Sequence, residues 1–330
     1  MLKLFAALGF ACIVTATAWS LGGFAAPARA QQEGQEDQDV ARVDETIIRE
    51  VNLVNVIFTV MDKKNRFIAN LTKEDFVVTE DGVPQEVTNF SREADLPMMV
   101  GILIDTSNSV RMRLRFEQQA AIDFLHKTLR AKRDQAFVVS FDVEAALVQD
   151  LTHDLEDLSE SIRSLQSGGV TRLYDAIYFA SKEKLHLTPA PDPYVRRALI
   201  ILSDGIDNQS DYSREEVLAM SQRAEVILYA ISTNRTRMSN RGDKILKRLA
   251  GETGGLAFFP VNTDDLHRNF ESIAKELRNQ YSLAYVSTNR NRDGTFRQIS
   301  IKARKKKLRV RARSGYFAPS GDVETGGESQ

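Results

Sequence analysis

Cysteine is almost absent: Cys12 is the only thiol in 330 residues, and it lies inside an apolar run near the start of the chain. Gly9-Phe10-Ala11 before it makes a poor lipidation box. A chain cleaved beyond that run has no disulfide, no thiolate nucleophile and no sulfur ligand for a metal. Histidine is scarce too. His126, His153, His186 and His267 form no H-x-x-H or H-E-x-x-H pair, which removes the usual signatures of zinc hydrolases. No G-x-S-x-G elbow and no Walker loop is present, so serine hydrolase and nucleotide-hydrolysing chemistry lack their motifs. Charge of one sign is missing as well: 44 Lys and Arg against 45 Asp and Glu leave a net charge of −1. Such a balance gives no global pull toward nucleic acid or an anionic surface, and any electrostatic preference must be local.

What is present begins with an export signal. Lys3 precedes an apolar run from Leu4 to Trp19, Gly22-Gly23 and Pro27 break it, and Ala28-Arg29-Ala30 supplies a small-residue cleavage box. Residues 1–30 therefore read as a signal peptide; if uncleaved, the charge-free run from Leu4 to Ala28 is long enough to anchor the chain in a membrane. An exported chain without disulfides points to a bacterial periplasm or secretion from a bacterium. Residues 31–46 open with QQEGQEDQD, acidic and free of aromatics, and read as a flexible linker.

Three kinds of pattern follow. In residues 47–95, Val54, Val56, Phe58 and Val60 alternate as on one face of a strand, and Glu80-Asp81-Gly82 has tight-turn chemistry between two short strands. Residues 96–280 alternate buried strands with amphipathic helices. Met98–Ile104, Ala136–Phe141, Ala198–Leu202 and Val226–Ile231 are strands, Phe116, Ala120, Phe124 and Leu125 mark a helix, and Ser213 with Glu216 makes a capping box. This predicts an α/β fold with a doubly wound, mostly parallel sheet. Residues 281–318 return to β alternation, and residues 319–330 read as a disordered tail. Neither β flank has enough strands to bury a core alone, so one small β domain built from both chain ends, with the α/β domain inserted, is the expected arrangement.

The chemistry gathers where strands end. Met98–Ile104 runs into Asp105-Thr106-Ser107-Asn108-Ser109, a D-x-S-x-S loop before a helix, and Ala198–Leu202 runs into Ser203-Asp204-Gly205. In a doubly wound sheet both lie at the carboxyl rim where ligands bind. Gly168-Gly169-Val170-Thr171 can present another hydroxyl there. Carboxylates and hydroxyls are hard oxygen donors that suit Mg²⁺ or Mn²⁺.

These residues resemble the metal-ion-dependent adhesion site of the von Willebrand factor A domain, and the resemblance covers roughly Leu96 to Gln280. It implies a Rossmann-like fold and a Mg²⁺ or Mn²⁺ site in which Asp105, Ser107 and Ser109 form the first metal loop, Thr171 the second and Asp204 the third. The hydroxyls would coordinate directly, and the aspartates directly or through water. Leu71–Phe90, Thr171–Ile177 and Gln280–Tyr316 extend the likeness to the acidobacterial von Willebrand factor A-related family. Arg172, beside the threonine, would weaken the site only if it turned inward.

Other features have plainer readings. Asp175 suits an early helix position more than a supporting role behind the metal ligands, and Asp207 either a turn or a water-mediated metal ligand. Arg241-Gly242-Asp243 spells an adhesion tripeptide, but Asp243 stands where a helix needs an N-cap. Lys302–Arg313 (KARKKKLRVRAR) is basic enough to grip acidic polysaccharide, lipid headgroups or nucleic acid, but its apolar alternation favours a strand with a solvated cationic face, and no aromatics interleave it for base stacking, so no nucleic-acid partner is expected. The expected function is non-enzymatic: an exported adhesion or scaffold module whose metal coordinates an Asp or Glu of a protein partner. An assembly partner of an envelope protein complex is the alternative, and a metal-dependent hydrolase a third that lacks an evident general base.

Overall fold

The computed structural model describes residues 53–92, 96–188, 195–234 and 240–320. The signal peptide, the flexible linker and residues 321–330 of the tail lie outside those. Residues from Val51 onward form one unit, to which everything below refers.

The N-terminal flank gives four strands: β1 (Leu53–Met61), β2 (Phe76–Glu80), β3 (Val83–Gln85) and β4 (Val87–Arg92). The alternation read from β1 is real burial, since Val54, Val56, Phe58 and Val60 are all at or below 4% exposure. β2 and β3 turn at Asp81 and Gly82, both at positive φ (48° and 82°), the geometry that matches the twist of a two-residue hairpin.

β5 (Met98–Asp105) opens the α/β part and is buried along its whole length. Its side chains divide between two cores. Met98, Val100, Ile102 and Ile104 face one cluster, and Met99 and Leu103 the other. α1 (Leu114–Thr128), β6 (Gln135–Phe141), β7 (Ala145–Thr152), α2 (Leu155–Ser164) and α3 (Leu173–Phe179) follow, the last widening into a π-helical turn over Ala180–His186. Then come β8 (Arg196–Ser203), α4 (Arg214–Arg223), β9 (Val226–Ser232), α5 (Arg241–Glu252), the short β10 (Ala257–Phe258) and α6 (Thr263–Leu277). The sheet order is β10-β9-β8-β5-β6-β7. All neighbours are parallel except β7, which runs antiparallel to β6 at the edge. Helices α1, α2 and α6 cover one face and α3, α4 and α5 the other, as a doubly wound sheet requires. Phe116 departs from the expected buried stripe of α1: in the first helical turn it is 54% exposed.

β11 (Gln280–Val286), β12 (Phe296–Ala303), β13 (Arg309–Ala312) and β14 (Gly315–Phe317) complete the chain. They interleave with the N-terminal strands in two four-stranded sheets, β13-β1-β11-β4 and β14-β12-β2-β3. Inner faces of both sheets share one apolar cluster, in which Phe58, Phe76, Phe90 and Tyr281 pack ring to ring at 5.1–6.3 Å. A buried polar hub sits among these strands. Glu80, 2% exposed, accepts from the Tyr285 hydroxyl at 2.9 Å, Tyr316 at 3.0 Å and Ser287 at 2.7 Å, and pairs with the buried Arg297.

The arginines of β13 and the one that follows it are not all solvated, contrary to the alternation read from sequence. Arg311 pairs with Glu276, a fully buried carboxylate at the end of α6, and Arg313 with Glu225 at 3.1 Å. Glu276 also accepts from Tyr229 at 3.0 Å and Thr59 at 3.4 Å, so it needs a cation to offset its desolvation.

Candidate metal centre

Asp105 is the last residue of β5 and has no solvent exposure. Its Oδ1 accepts the Ser107 backbone N–H at 2.9 Å, and its Oδ2 accepts the Ser203 hydroxyl at 2.9 Å. Burial pushes its pKa up to about 6, against those hydrogen bonds; the nearby Asp204 carboxylate adds to the rise. The chain then turns through a single 3-10 turn over Asn108–Val110, which brings the Ser107 and Ser109 hydroxyls 2.9 Å apart. Ser107 is buried and Ser109 exposed, so the pair leads from the buried carboxylate to the surface.

Backbone hydrogen bonds tie three loops together here. Gly168 N–H donates to the Thr106 carbonyl at 2.7 Å, and Asn108 N–H to the Gly169 carbonyl at 3.3 Å. On the other side, Asn208 N–H donates to the Thr171 carbonyl at 3.0 Å. The loop carrying Thr171 is thus bonded both to the one carrying Ser107 and Ser109 and to the one that follows Asp204. Thr171 is 3% exposed, and its hydroxyl makes no hydrogen bond among the described residues. Asp204 is half-buried, with Oδ1 accepting the Ile206 N–H at 2.9 Å.

The turn after β8 is held from behind by backbone-to-backbone packing. Gly205 has φ +78°, and a Cβ there would lie 2.4 Å from the Gly242 carbonyl; a Cβ on Gly242 would lie 2.1 Å from the Asp204 carbonyl. Only glycine fits at either position. This gives the Arg241-Gly242-Asp243 sequence a structural role. Asp243 is not the N-cap of α5, as expected, but its third residue: Asn240 is the cap, and the two exchange hydrogen bonds as a capping box. Asp243 is 4% exposed and also binds Ser232 at 2.7 Å and Asn234 at 3.1 Å, which removes it from any exposed recognition loop.

The neighbouring charged residues are spoken for. Arg172 turns away from Asp105 to pair with Asp175 and Asp211, each at 2.9 Å. Asp175 accepts the Asp211 and Tyr212 N–H groups, and Asp207 accepts from the Tyr174 N–H and the Ser210 hydroxyl, so both carboxylates organise loops. Ser203 is the residue that sequence reasoning passed over. It donates to Asp105 and accepts the Gly205 N–H at 3.1 Å, fixing one strand end to the next. Its place before Asp204, on a strand paired with β5, was the available signal.

Among the described residues no three His, Cys, Asp or Glu side chains come together as a metal cluster. A cation here would therefore depend on hydroxyls as well as on Asp105 and Asp204. The donor set fits a hard divalent ion: a buried carboxylate with no Lys or Arg paired to it among the described residues, a second carboxylate beside it, two hydroxyls in contact and one unpartnered. The histidines lie away from this rim. His126 contacts Ser159, and the His153 ring contacts the Asp134 carbonyl.

Comparison with known proteins places residues 100–207 against the family model of the von Willebrand factor type A domain. The chain is 31% identical over 163 residues to human von Willebrand factor A domain-containing protein 3B. That match takes in 47% of the chain and 11% of the human protein, so the chain spans about a tenth of its relative's length. Among solved structures it is similar to a von Willebrand factor type A protein from Catenulispora acidiphila (TM-score 0.48, 11% identity, 82% of this chain and 74% of that one). It is also similar to proximal thread matrix protein 1 of the mussel byssus with a zinc-occupied MIDAS motif (TM-score 0.48, 17% identity, 60% of this chain and 49% of that one). A third is the PilB minor pilin of Streptococcus sanguinis (TM-score 0.45, 14% identity, 56% of this chain and 62% of that one).

Proposed function

From the von Willebrand factor type A domain that residues 100–207 carry, we propose that this chain is an exported, metal-dependent protein-binding module. Asp105, Ser107, Ser109, Thr171 and Asp204 would hold Mg²⁺ or Mn²⁺. The observation that supports this most is the hydrogen-bonded union of three loops at the carboxyl ends of β5 and β8. Chain connections leave β5 toward β6 on one side and return to β8 on the other, so this is the crevice where doubly wound sheets bind ligands.

The chain's own residues do four things at this rim. Ser203 and the Ser107 N–H orient the Asp105 carboxylate. The Gly205–Gly242 contact fixes the turn that carries Asp204. Arg172 is kept from the site by Asp175 and Asp211. Ser109, at the exposed end of the hydroxyl pair, leaves the rim accessible to a partner. A bound divalent ion would supply an open coordination position. With only two carboxylates to offset its charge, that position favours an anionic oxygen, and Asp or Glu is the form a protein partner can offer.

Titration calorimetry with Mg²⁺ on the wild type, Asp105→Ala and Asp204→Ala tests the site, and binding should be lost in both variants. Capture of proteins from a bacterial envelope extract, in Mg²⁺ and in chelator, tests the role. Equal recovery in both conditions would remove this rim as the binding surface.

A further inference from the structure

A one-sided run of exposed charge lies outside the candidate metal centre, where β12 turns into β13. This hairpin crosses from one sheet of the β unit to the other, because β12 pairs with β2 and β13 with β1. Its turn carries Arg304, Lys305, Lys306 and Lys307, all exposed, and Arg309 opens the next strand. Lys307 adopts a left-handed φ of 78°, the conformation of a tight turn.

A second loop meets the hairpin. Met61 pairs with Arg309 across β1 and β13, and the Arg309 guanidinium bonds Asn65. That places the exposed Lys63, Lys64 and Arg66 at the same tip. Among the described residues only Asp62 and Asp75 offset this charge by direct pairing, with Arg66 and with Lys305 at 3.0 Å. Lys306 and Lys307 form no ion pair among the described residues. In a chain whose net charge is −1, a tip this cationic leaves the remainder clearly acidic. The inner arginines of the same run, Arg311 and Arg313, are engaged with Glu276 and Glu225 and have a structural reason to be basic. Lys306 and Lys307 have none.

We propose that this tip is a docking surface for an anionic lipid bilayer. Lysines supply mobile point charges rather than the planar forks that read a single phosphate or base edge, and Lys305, Lys306 and Lys307 stand together. The surface is a turn between two strands, whereas a single-stranded nucleic acid is held in a groove lined with stacking aromatics. No aromatic residue lies between Lys302 and Arg313. Clusters of four to eight basic residues are the size that holds proteins at anionic leaflets, and each contributes about fivefold to binding when close to the surface.

The test is sedimentation of the full chain with vesicles of phosphatidylcholine alone and of phosphatidylcholine mixed with phosphatidylglycerol, at low and high salt. The expected result is an excess of binding to the anionic vesicles that salt removes. Lys305→Gln/Lys306→Gln/Lys307→Gln should weaken it about a hundredfold, from about fivefold per charge. Lys244→Gln/Lys247→Gln/Arg248→Gln removes the same charge from exposed positions on α5 and should leave binding nearly intact. All six positions are exposed, and an unchanged circular dichroism melt confirms folding. Three results would overturn the proposal: equal losses in both triple variants, equal binding to both vesicle types from insertion of the apolar N-terminal run, or retention on an acidic polysaccharide or duplex DNA without vesicle binding.

Discussion

Replacing Asp105 by Asn should make the metal-free protein more stable at neutral pH while abolishing its response to Mg²⁺. Asp105 is held at a pKa of about 6 in the fold against 3.8 as a free side chain, with burial the leading cause. Between those two values the folded protein keeps a proton that the unfolded chain has released. Stability therefore falls as pH rises from about 4 through about 6, and the loss is complete above that. A rise of about two units, at ~1.4 kcal/mol per unit, is about 3 kcal/mol. An amide stays neutral throughout and escapes this loss. It also fits the site: its oxygen can accept the Ser107 N–H, and Ser203 Oγ, which now donates to Asp105, has lone-pair capacity to accept from the amide nitrogen.

Urea denaturation in chelator at pH 4 and pH 7 measures this directly. The two proteins should be nearly equal at pH 4, and Asp105→Asn should be more stable by up to about 3 kcal/mol at pH 7. Mg²⁺ at a thousandfold over its Kd should reverse the order, since it stabilises the wild type by about 4.1 kcal/mol and the variant not at all. Parallel pH dependences for the two proteins in chelator would refute the reasoning, because Asp105 would then carry no destabilising charge. A wild type that gains nothing from Mg²⁺ would separately refute the metal site.

Thr171→Val should weaken Mg²⁺ binding yet change urea stability by less than about 1 kcal/mol, because the hydroxyl has no hydrogen bond to lose; calorimetry and denaturation check the two halves. Arg297→Ala should cost about 3–5 kcal/mol, since it strands the buried Glu80 carboxylate, and Glu80→Gln added to it should recover part of that loss in the same urea assay. If both chain ends build one β domain, deleting residues 281–316 strips β1 of its partners β11 and β13, and hydrogen exchange should show Leu53–Met61 unprotected.

The sequence was most legible where burial follows a strict period. The β1 alternation and the unbroken apolar β5 each allow one environment, so the pattern alone specifies the strands and their faces. The D-x-S-x-S loop was legible for the same reason, since a polar cluster directly after a two-sided buried strand has to sit at the sheet rim. β7 was not: its residues are almost all half-buried with no alternation, as befits an antiparallel edge strand covered mainly by α2. α2 and α6 carried unread signals in Asp154 and Asn262, which cap them by accepting backbone N–H groups. Asp243 was misplaced by three residues because a capping box has two polar members, and the third-position partner was mistaken for the cap. The roles of Ser203 and Arg311 depend on partners 98 and 35 residues away, Asp105 and Glu276, and local pattern holds no information about either pairing.

The β unit and the candidate metal rim occupy opposite ends of the central sheet. β1 reaches the α/β part through Asn55 and Ile57, which lie with Val226 and Ile227 at the start of β9. Asp105 and Asp204 stand where β5 and β8 finish. Connections between these ends run through packed elements: β5 and β9 are buried along their lengths, β8 is buried except at Arg197, and α6 is tied at its carboxyl end by Glu276 to Arg311 and Thr59. A partner bound at the rim therefore need not compete for space with a surface bound at the β12–β13 tip. The same separation explains why charge can be so unevenly placed in a nearly neutral chain. A cationic tip beside the rim would compete for any carboxylate offered to a cation bound there, and separation from the rim weakens that competition because salt screens exposed charges over about 10 Å.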